Sequence, residues 1–405
     1  MTEGQSGHGK KASNEDDGAT AVYGRLGKGF QHIDGFSHIA YCTGPAQLAY
    51  LLSAFEISDI TPRDCLVNVT ATPNAIDLLR TLPEVCRQVG MKIGDESLLT
   101  SSTLKEALSI SRNTGHAHHS AFWYCWAGRG REPILRQFRK ILPEMVFEYY
   151  DGFRSPIVAQ EQEKNTFSLS GANCMRDLRQ LAEQRLLRPD RYFMLDDGLF
   201  TKYASTEVQR KTQYISLRTV QEKIRLVGEI LDEIDGEKPL EDSPGVVLLT
   251  GMFSERREFA SRIAELNMYN DILGVIHSVS RKTPILVKPH PRTSPEKMQG
   301  LEDICAEYNA VLHIRQQLVE YMLEKADRHD MSVIGMPSTA LLSTIQFGYG
   351  RAFCPSQRLM ASYVGHAYAD DHWMARDHEL MESAGVNMFD SLQKLSDLLR
   401  EARVY

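Results

Sequence analysis

The sequence predicts an α/β protein built from two doubly wound halves, each a parallel sheet covered by helices. Three observations predict it. Short apolar runs alternate with helical repeats along the chain, the pattern of parallel strands joined by helical crossovers. A stretch rich in Pro, Gly and acids, DGEKPLEDSPG (235–245), interrupts that alternation past the middle and reads as a linker. The length of 405 residues allows two or three domains.

The elements follow in order. Residues 1–30 open with MTEGQSGHGKKASNEDDGAT, which lacks the apolar core of a signal peptide, and are predicted as a disordered tail. The first domain is placed at 31–235 and is Rossmann-like. HIAYC (38–42) is a strand, Thr43-Gly44-Pro45 a break, and Leu48, Leu51, Leu52 and Phe55 mark a helix by their spacing. CLVNV (65–69) and the helix 74–90 repeat the unit, as do AFWYCWA (121–127) and the helix 132–142. RYFMLDDG (191–198) is a strand ending in polar residues, and a charge-rich helix is expected over 207–235. A second Rossmann-like domain is placed at 245–385. It starts with the strand VVLLTG (246–251) and a helix over 272–280. TPILVKPHPR (283–292) then runs from strand into loop, and a helix follows at 295–309. VLHI (311–314) is a strand, 316–326 a helix, MSVIGMPSTALLSTIQFG (331–348) strand, loop and helix, and RAFCP (351–355) a strand. Residues 386–405 form an amphipathic helix that can pack back on the first domain.

Composition excludes several classes. Apolar residues make up 42% and charged residues 24%, ordinary for a globular chain, and the net charge is −7. No basic excess points to nucleic acid, so an anionic ligand must be held by local groups. Seven dispersed cysteines without CxxC spacing read as thiols in a reducing compartment. No run reaches 18 apolar residues. These features lead us to expect a cytoplasmic protein, with peripheral attachment to the inner face of a membrane left open.

Ligands of doubly wound sheets bind beyond the carboxyl ends of the strands, and three motifs fall there. In ILVKPHPR, Pro289 and Pro291 stiffen a loop that presents Lys288, His290 and Arg292: a surface loop with a capping histidine, or, favoured by two prolines around one histidine, a cradle for a phosphate that His290 can also protonate. In VIGMPSTALL, Ser338 and Thr339 open a helix; they serve as its cap or bind phosphate there, and the KPHPR loop favours phosphate. FMLDDGLF ends a strand with Asp196, Asp197 and Gly198: a general base for an acceptor hydroxyl, an Asx turn or a metal-binding pair. Gly251 after VVLLT permits close backbone approach or merely turns the chain. Arg129 and Arg131 face an anionic acceptor or solvent. His116, His118 and His119 have no acid or cysteine at a ligand spacing, so no metal site is expected. Phe122, Trp123, Tyr124 and Trp126 fit a buried strand.

Asp196-Asp197-Gly198, His290-Pro291 and Ser338-Thr339, in this order across two domains, resemble the motifs of bacterial sialyltransferases and among them the capsular polysialyltransferases. TGPAQLAYLL resembles the first βα unit of such enzymes. The resemblance implies a GT-B fold with its two domains facing across a cleft. It also implies inverting, metal-independent transfer of sialic acid, or a related nonulosonic acid, from a CMP-sugar to a hydroxyl of a glycan or glycolipid acceptor, in capsule or surface-polysaccharide synthesis. No cofactor is implied, the CMP-sugar being substrate. Carried over, Asp196 deprotonates the acceptor, His290 protonates or polarises the CMP phosphate, and Ser338 and Thr339 bond it. Asp197 supports the loop and Gly198 permits its turn. Gly251, Lys288, Pro291 and Arg292 complete the expected donor set. CDP-glycerol glycerophosphotransferases share an HP-type loop and a later serine pair and are the rival enzyme class. A GT-B-like nucleotide- or glycan-binding protein without catalysis is the alternative of another class.

Overall fold

In a computed structural model the alternating pattern becomes two parallel sheets. The structure describes residues 38–42, 44–69, 76–93, 121–124, 146–150, 189–196, 198–236, 244–255, 261–279, 283–314, 317–326 and 331–402. The first half runs β1 (His38–Cys42), α1 (Pro45–Ile57), β2 (Cys65–Val69), α2 (Ile76–Gln88), β3 (Lys92–Ile93), β4 (Ala121–Tyr124), β5 (Val146–Tyr150) and β6 (Arg191–Leu195). It continues with α3 (Leu199–Tyr203), α4 (Thr206–Arg210), β7 (Thr212–Ile215) and α5 (Leu217–Asp235). The second half runs β8 (Val246–Leu249), α6 (Arg262–Val279), β9 (Ile285–Lys288), α7 (Pro295–Glu307), β10 (Val311–Leu312), α8 (Val319–Lys325), β11 (Met331–Gly335) and α9 (Thr339–Gln346). β12 (Gly350–Pro355), α10 (Gln357–Val364), α11 (His366–Ala369), α12 (His372–Ser383), β13 (Asn387–Phe389) and α13 (Leu392–Ala402) complete it.

Among the described residues the first sheet has the order β3-β2-β1-β4-β5-β6-β7 and the second β10-β9-β8-β11-β12-β13. Every pairing is parallel; β1, for example, sets Ile39 against Leu66 on one side and Phe122 on the other. Each order reverses direction once, between β1 and β4 and between β8 and β11. Loops leaving the strands at such a point diverge to opposite faces and open a crevice. This is a GT-B layout, two doubly wound α/β halves.

Three expectations need correction. The continuous helix over 207–235 is broken, because Thr212, Tyr214 and Ile215 favour extended backbone and form β7, an edge strand. Ser216 then restarts the helix by accepting the Thr219 N–H at 3.1 Å. The helix expected at 272–280 begins at Arg262, with Met268, Tyr269 and Ile272 buried on one stripe. The C-terminal stretch does not return to the first half: Asn387–Phe389 pair with β12, and Leu395 and Leu399 of α13 are buried in the second half's core. A strand was expected over 121–127; β4 ends at Tyr124, and 125–127 lie outside the described residues.

The first core gathers α1, β2, β4 and β6 around Trp123, which is fully buried. Its ring meets Phe55 at 5.0 Å and Phe193 at 4.8 Å between centroids, and its Nε1–H donates to His38 Nδ1 at 3.3 Å. This satisfies the indole, as a buried tryptophan requires. The two cores share residues: Leu199 of α3 is buried in a second-half cluster, and Phe347 packs against the first core. Leu318 and Tyr321, at α8 of the second half, belong to the first core. The Tyr321 ring lies over Gly228 of α5, so close that a Cβ there would fall 2.2 Å from Cγ of the tyrosine. Lys325 of α8 bonds Asp232 at 2.6 Å, Gln317 bonds the same carboxylate at 2.9 Å, and Arg225 pairs with Glu324. The aromatic packing dominates this junction, since exposed ion pairs contribute little.

Candidate active site

The two reversal points face one cavity of about 350 Å³. The first half contributes Gly44 to Gln47 and Tyr50, from the start of α1. The second half contributes the ends of β8 and β9, the approach to α8 and the start of α9. Its volume is in the range of small-molecule sites.

The β9 end is held tightly. The Thr250 N–H donates to the Lys288 carbonyl at 3.1 Å, and the Thr250 hydroxyl accepts the His290 N–H at 3.1 Å. Pro289 and Pro291 carry no N–H and fix φ around the histidine. The Arg292 N–H donates to His290 Nδ1 at 3.1 Å, so the neutral ring carries its proton on Nε2. Lys288, His290, Pro291 and Arg292 all line the cavity, and Lys288 is only 6% exposed.

Ser338 caps α9, its hydroxyl accepting the Leu341 N–H at 3.3 Å, and Ser338 and Thr339 also line the cavity. Capping therefore leaves both residues on the cavity wall. Opposite them, α1 starts at Pro45 behind Gly44, which has no side chain to cap it, and no acid stands in its first turn. A thirteen-residue helix thus directs its positive end at the cavity.

Other expected residues are placed differently. Asp196 is exposed at the end of β6, three strand spacings from β1, or about 14 Å along the sheet. It is not among the residues lining the cavity. Gly198 takes φ +76°, the left-handed turn expected of it. Gly251 also stands outside the lining set. Its N–H donates to the Tyr269 hydroxyl at 2.7 Å and its carbonyl accepts from Lys297 at 2.8 Å. A Cβ there would lie 2.7 Å from the Phe253 ring, so packing rather than ligand approach requires this glycine. Asp197, Arg129, Arg131, the 116–119 histidines and Trp126 lie outside the described residues.

Sequence reasoning missed Thr250, Gln317, the α1 start and Glu320 as parts of this wall. Glu320 is 4% exposed and lines the cavity. Burial pushes its carboxyl above the usual range, against the opposing effects of its own N–H and the Ser343 hydroxyl. The TGP break at the end of β1 was a usable signal for the α1 contact. Glu320 had none, because Glu320 to Leu323 are buried all round α8 and leave no polar stripe.

No curated protein sequence matches the chain. Solved structures similar to it include UDP-GlcNAc 2-epimerase from Neisseria meningitidis bound to UDP-GlcNAc (10% identity, 91% of this chain and 99% of that one, TM-score 0.42). A sialyltransferase GT-B domain from Photobacterium damselae aligns at 10% identity over 87% of this chain and 99% of that one, TM-score 0.41. Acinetobacter baumannii MurG aligns at 10% identity over 90% and 99%, TM-score 0.34. The family model for alpha-2,8-polysialyltransferase (POLYST) matches residues 144–353, just over half of the chain, taking in Asp196, the His290 loop and Ser338-Thr339. The chain therefore belongs to the alpha-2,8-polysialyltransferase family and is a sialyltransferase.

Proposed function

We propose that the cavity holds CMP-sialic acid, or the CMP ester of a related nonulosonic acid, and that the sugar is passed with inversion and without metal to a hydroxyl of a glycan or glycolipid acceptor. One observation carries this: Lys288, His290, Arg292 and the start of α9 line the cavity from the second half, and the start of α1 lines it from the first. Such a donor has two anionic groups, a phosphate and a carboxylate. Lys288, Arg292, the His290 Nε2–H and the start of α9 suit the phosphate. The start of α1 suits the carboxylate. Glu320 is the buried carboxyl of the wall and can accept from sugar hydroxyls of the nucleoside.

The departing CMP takes up negative charge as the C–O bond breaks and the anomeric carbon becomes oxocarbenium-like. Donors fixed on that phosphate before reaction stabilise the charge without reorganising. The Arg292 N–H occupies Nδ1, which leaves Nε2–H as hydrogen-bond donor to the phosphate. Lys288 and Arg292 supply positive charge that a divalent cation provides in other transferases. Asp196, exposed at the end of β6 in the first half, is assigned as the base that takes the acceptor proton as the new bond forms opposite the leaving group. Closure of the halves brings the base to the donor sugar and acceptor. The product fits capsule or surface-polysaccharide synthesis, at a cytoplasmic site peripheral to the inner membrane face. Among the described residues no helix is long and apolar enough to cross a membrane.

The test is CMP release from CMP-sialic acid with a glycan acceptor and excess chelator. Asp196→Ala and His290→Ala are each expected to lower turnover by about 100-fold or more. Consumption of CDP-glycerol in its place, activity lost with chelator, or an unimpaired Asp196→Ala protein refutes the corresponding part of the reading.

A further inference from the structure

An ionic cluster adjoins the end of the His290 loop, and Glu255, Glu265 and Lys297, which form it, are not among the residues lining the cavity. Lys297 of α7 is fully buried. Its ammonium donates to the Gly251 carbonyl at 2.8 Å, to Glu255 at 3.2 Å and to Glu265. Glu265, also fully buried, accepts the Ser254 N–H at 2.7 Å and the Tyr269 hydroxyl at 2.9 Å. Glu255 turns the other way, and its second oxygen accepts the Ser294 N–H at 3.0 Å, where the His290 loop enters α7.

Buried ion clusters are poor stabilisers, because desolvation offsets most of their attraction and apolar packing serves as well. What this cluster achieves is placement. It ties the β8 loop, 250–255, to the far end of the His290 loop, while Thr250 holds the near end through the His290 N–H. The loop is thus fixed at both ends to the same neighbour.

We infer that Glu255, held by Lys297, is a positioning residue that sets the height of the His290 ring over the departing phosphate. This rests on the role proposed for His290. Releasing the Ser294 N–H lets the loop rise, and misplacement by about 1 Å is enough to cost on the order of 100-fold in rate.

The experiment is a double-mutant cycle on sialyl transfer by the full chain, with melting temperatures recorded alongside. Glu255→Ala is expected to lower kcat/KM by about 10- to 100-fold in the parent protein and by less than about 3-fold in His290→Ala, because the histidine it positions is gone. Glu255→Gln keeps an acceptor for Ser294 and is expected to recover most of the loss. A merely structural role would give the same factor in both backgrounds, and that result overturns the inference, as does a Glu255→Gln protein no faster than Glu255→Ala. Should His290→Ala alone leave the rate unchanged, the role of His290 fails first, and the cycle shows it separately.

Discussion

Gly228 of α5 offers a sharp test of how the two halves are registered. Replacing it with alanine puts a methyl 2.2 Å from Tyr321 Cγ and 2.4 Å and 2.6 Å from the adjoining ring carbons, where ordinary contact begins at 3.4 Å. The ring, or α8 with it, must move by about 1.2 Å. Tyr321 is 2% exposed within the first core, so the ring has little room to swing and the displacement passes to α8. Alanine in a helix interior contributes about 1 kcal/mol over glycine. Overpacking costs about 1–3 kcal/mol, so the net change runs from near zero to a loss of about 2 kcal/mol. The functional effect is larger, because Leu318, Val319 and Glu320 at the head of α8 line the cavity. A shift of that size is expected to lower kcat/KM with CMP-sialic acid by about 10- to 100-fold while the melting temperature falls by only a few degrees. The assay is initial-rate CMP release across donor concentrations, with melting followed by circular dichroism. A Gly228→Ala protein with unchanged kcat/KM and a raised melting temperature would refute the argument that α8 carries the cavity wall on the first core.

Glu320→Gln tests the buried carboxyl. The folded protein holds Glu320 with a raised pKa, so its contribution to stability is complete in acid and is lost as pH rises through the raised value. The glutamine variant is therefore expected to melt higher than the parent at pH 7.5, by a margin that vanishes near pH 4, and to bind CMP more weakly by calorimetry. Ser338→Ala removes the α9 cap and is expected to lose about 1 kcal/mol in chemical denaturation, together with about tenfold in CMP affinity. Gly251→Ala is expected to lower stability by about 1–3 kcal/mol through the Phe253 clash while leaving the donor KM of the folded fraction unchanged.

The second half was legible almost strand by strand. β8, β9, β11 and β12 are short apolar runs bounded by glycine or proline, and their ends carry the residues that meet at the cavity. Lys288, His290, Arg292, Ser338 and Thr339 could be chosen because each motif is local: a strand end and the residues just after it. Glu320 was not legible as wall, since its place depends on how the halves face each other and sequence spacing does not encode that; the TGP break marked where α1 starts, but not what it faces. β7 was hidden for another reason. Four residues between two helical stretches leave too short a window for a period-two pattern to stand out. Gly251 misled because a glycine after a strand looks the same whether a ligand or a phenylalanine ring approaches it.

The placement of Leu318 and Tyr321 in the first core bears on how the chain comes to be folded. During synthesis the first half emerges complete in sequence while its core still lacks two apolar side chains from α8. Those arrive only after β8, α6, β9, α7 and β10 have been made. Until then the α5 surface that receives Tyr321 stays open to solvent, and a product cut at the 235–245 stretch would keep that surface bare on one piece and leave the tyrosine bare on the other. The two halves are separable in topology and interdependent in assembly, so the nascent chain passes through a stage at which exposed apolar surface invites association with other chains.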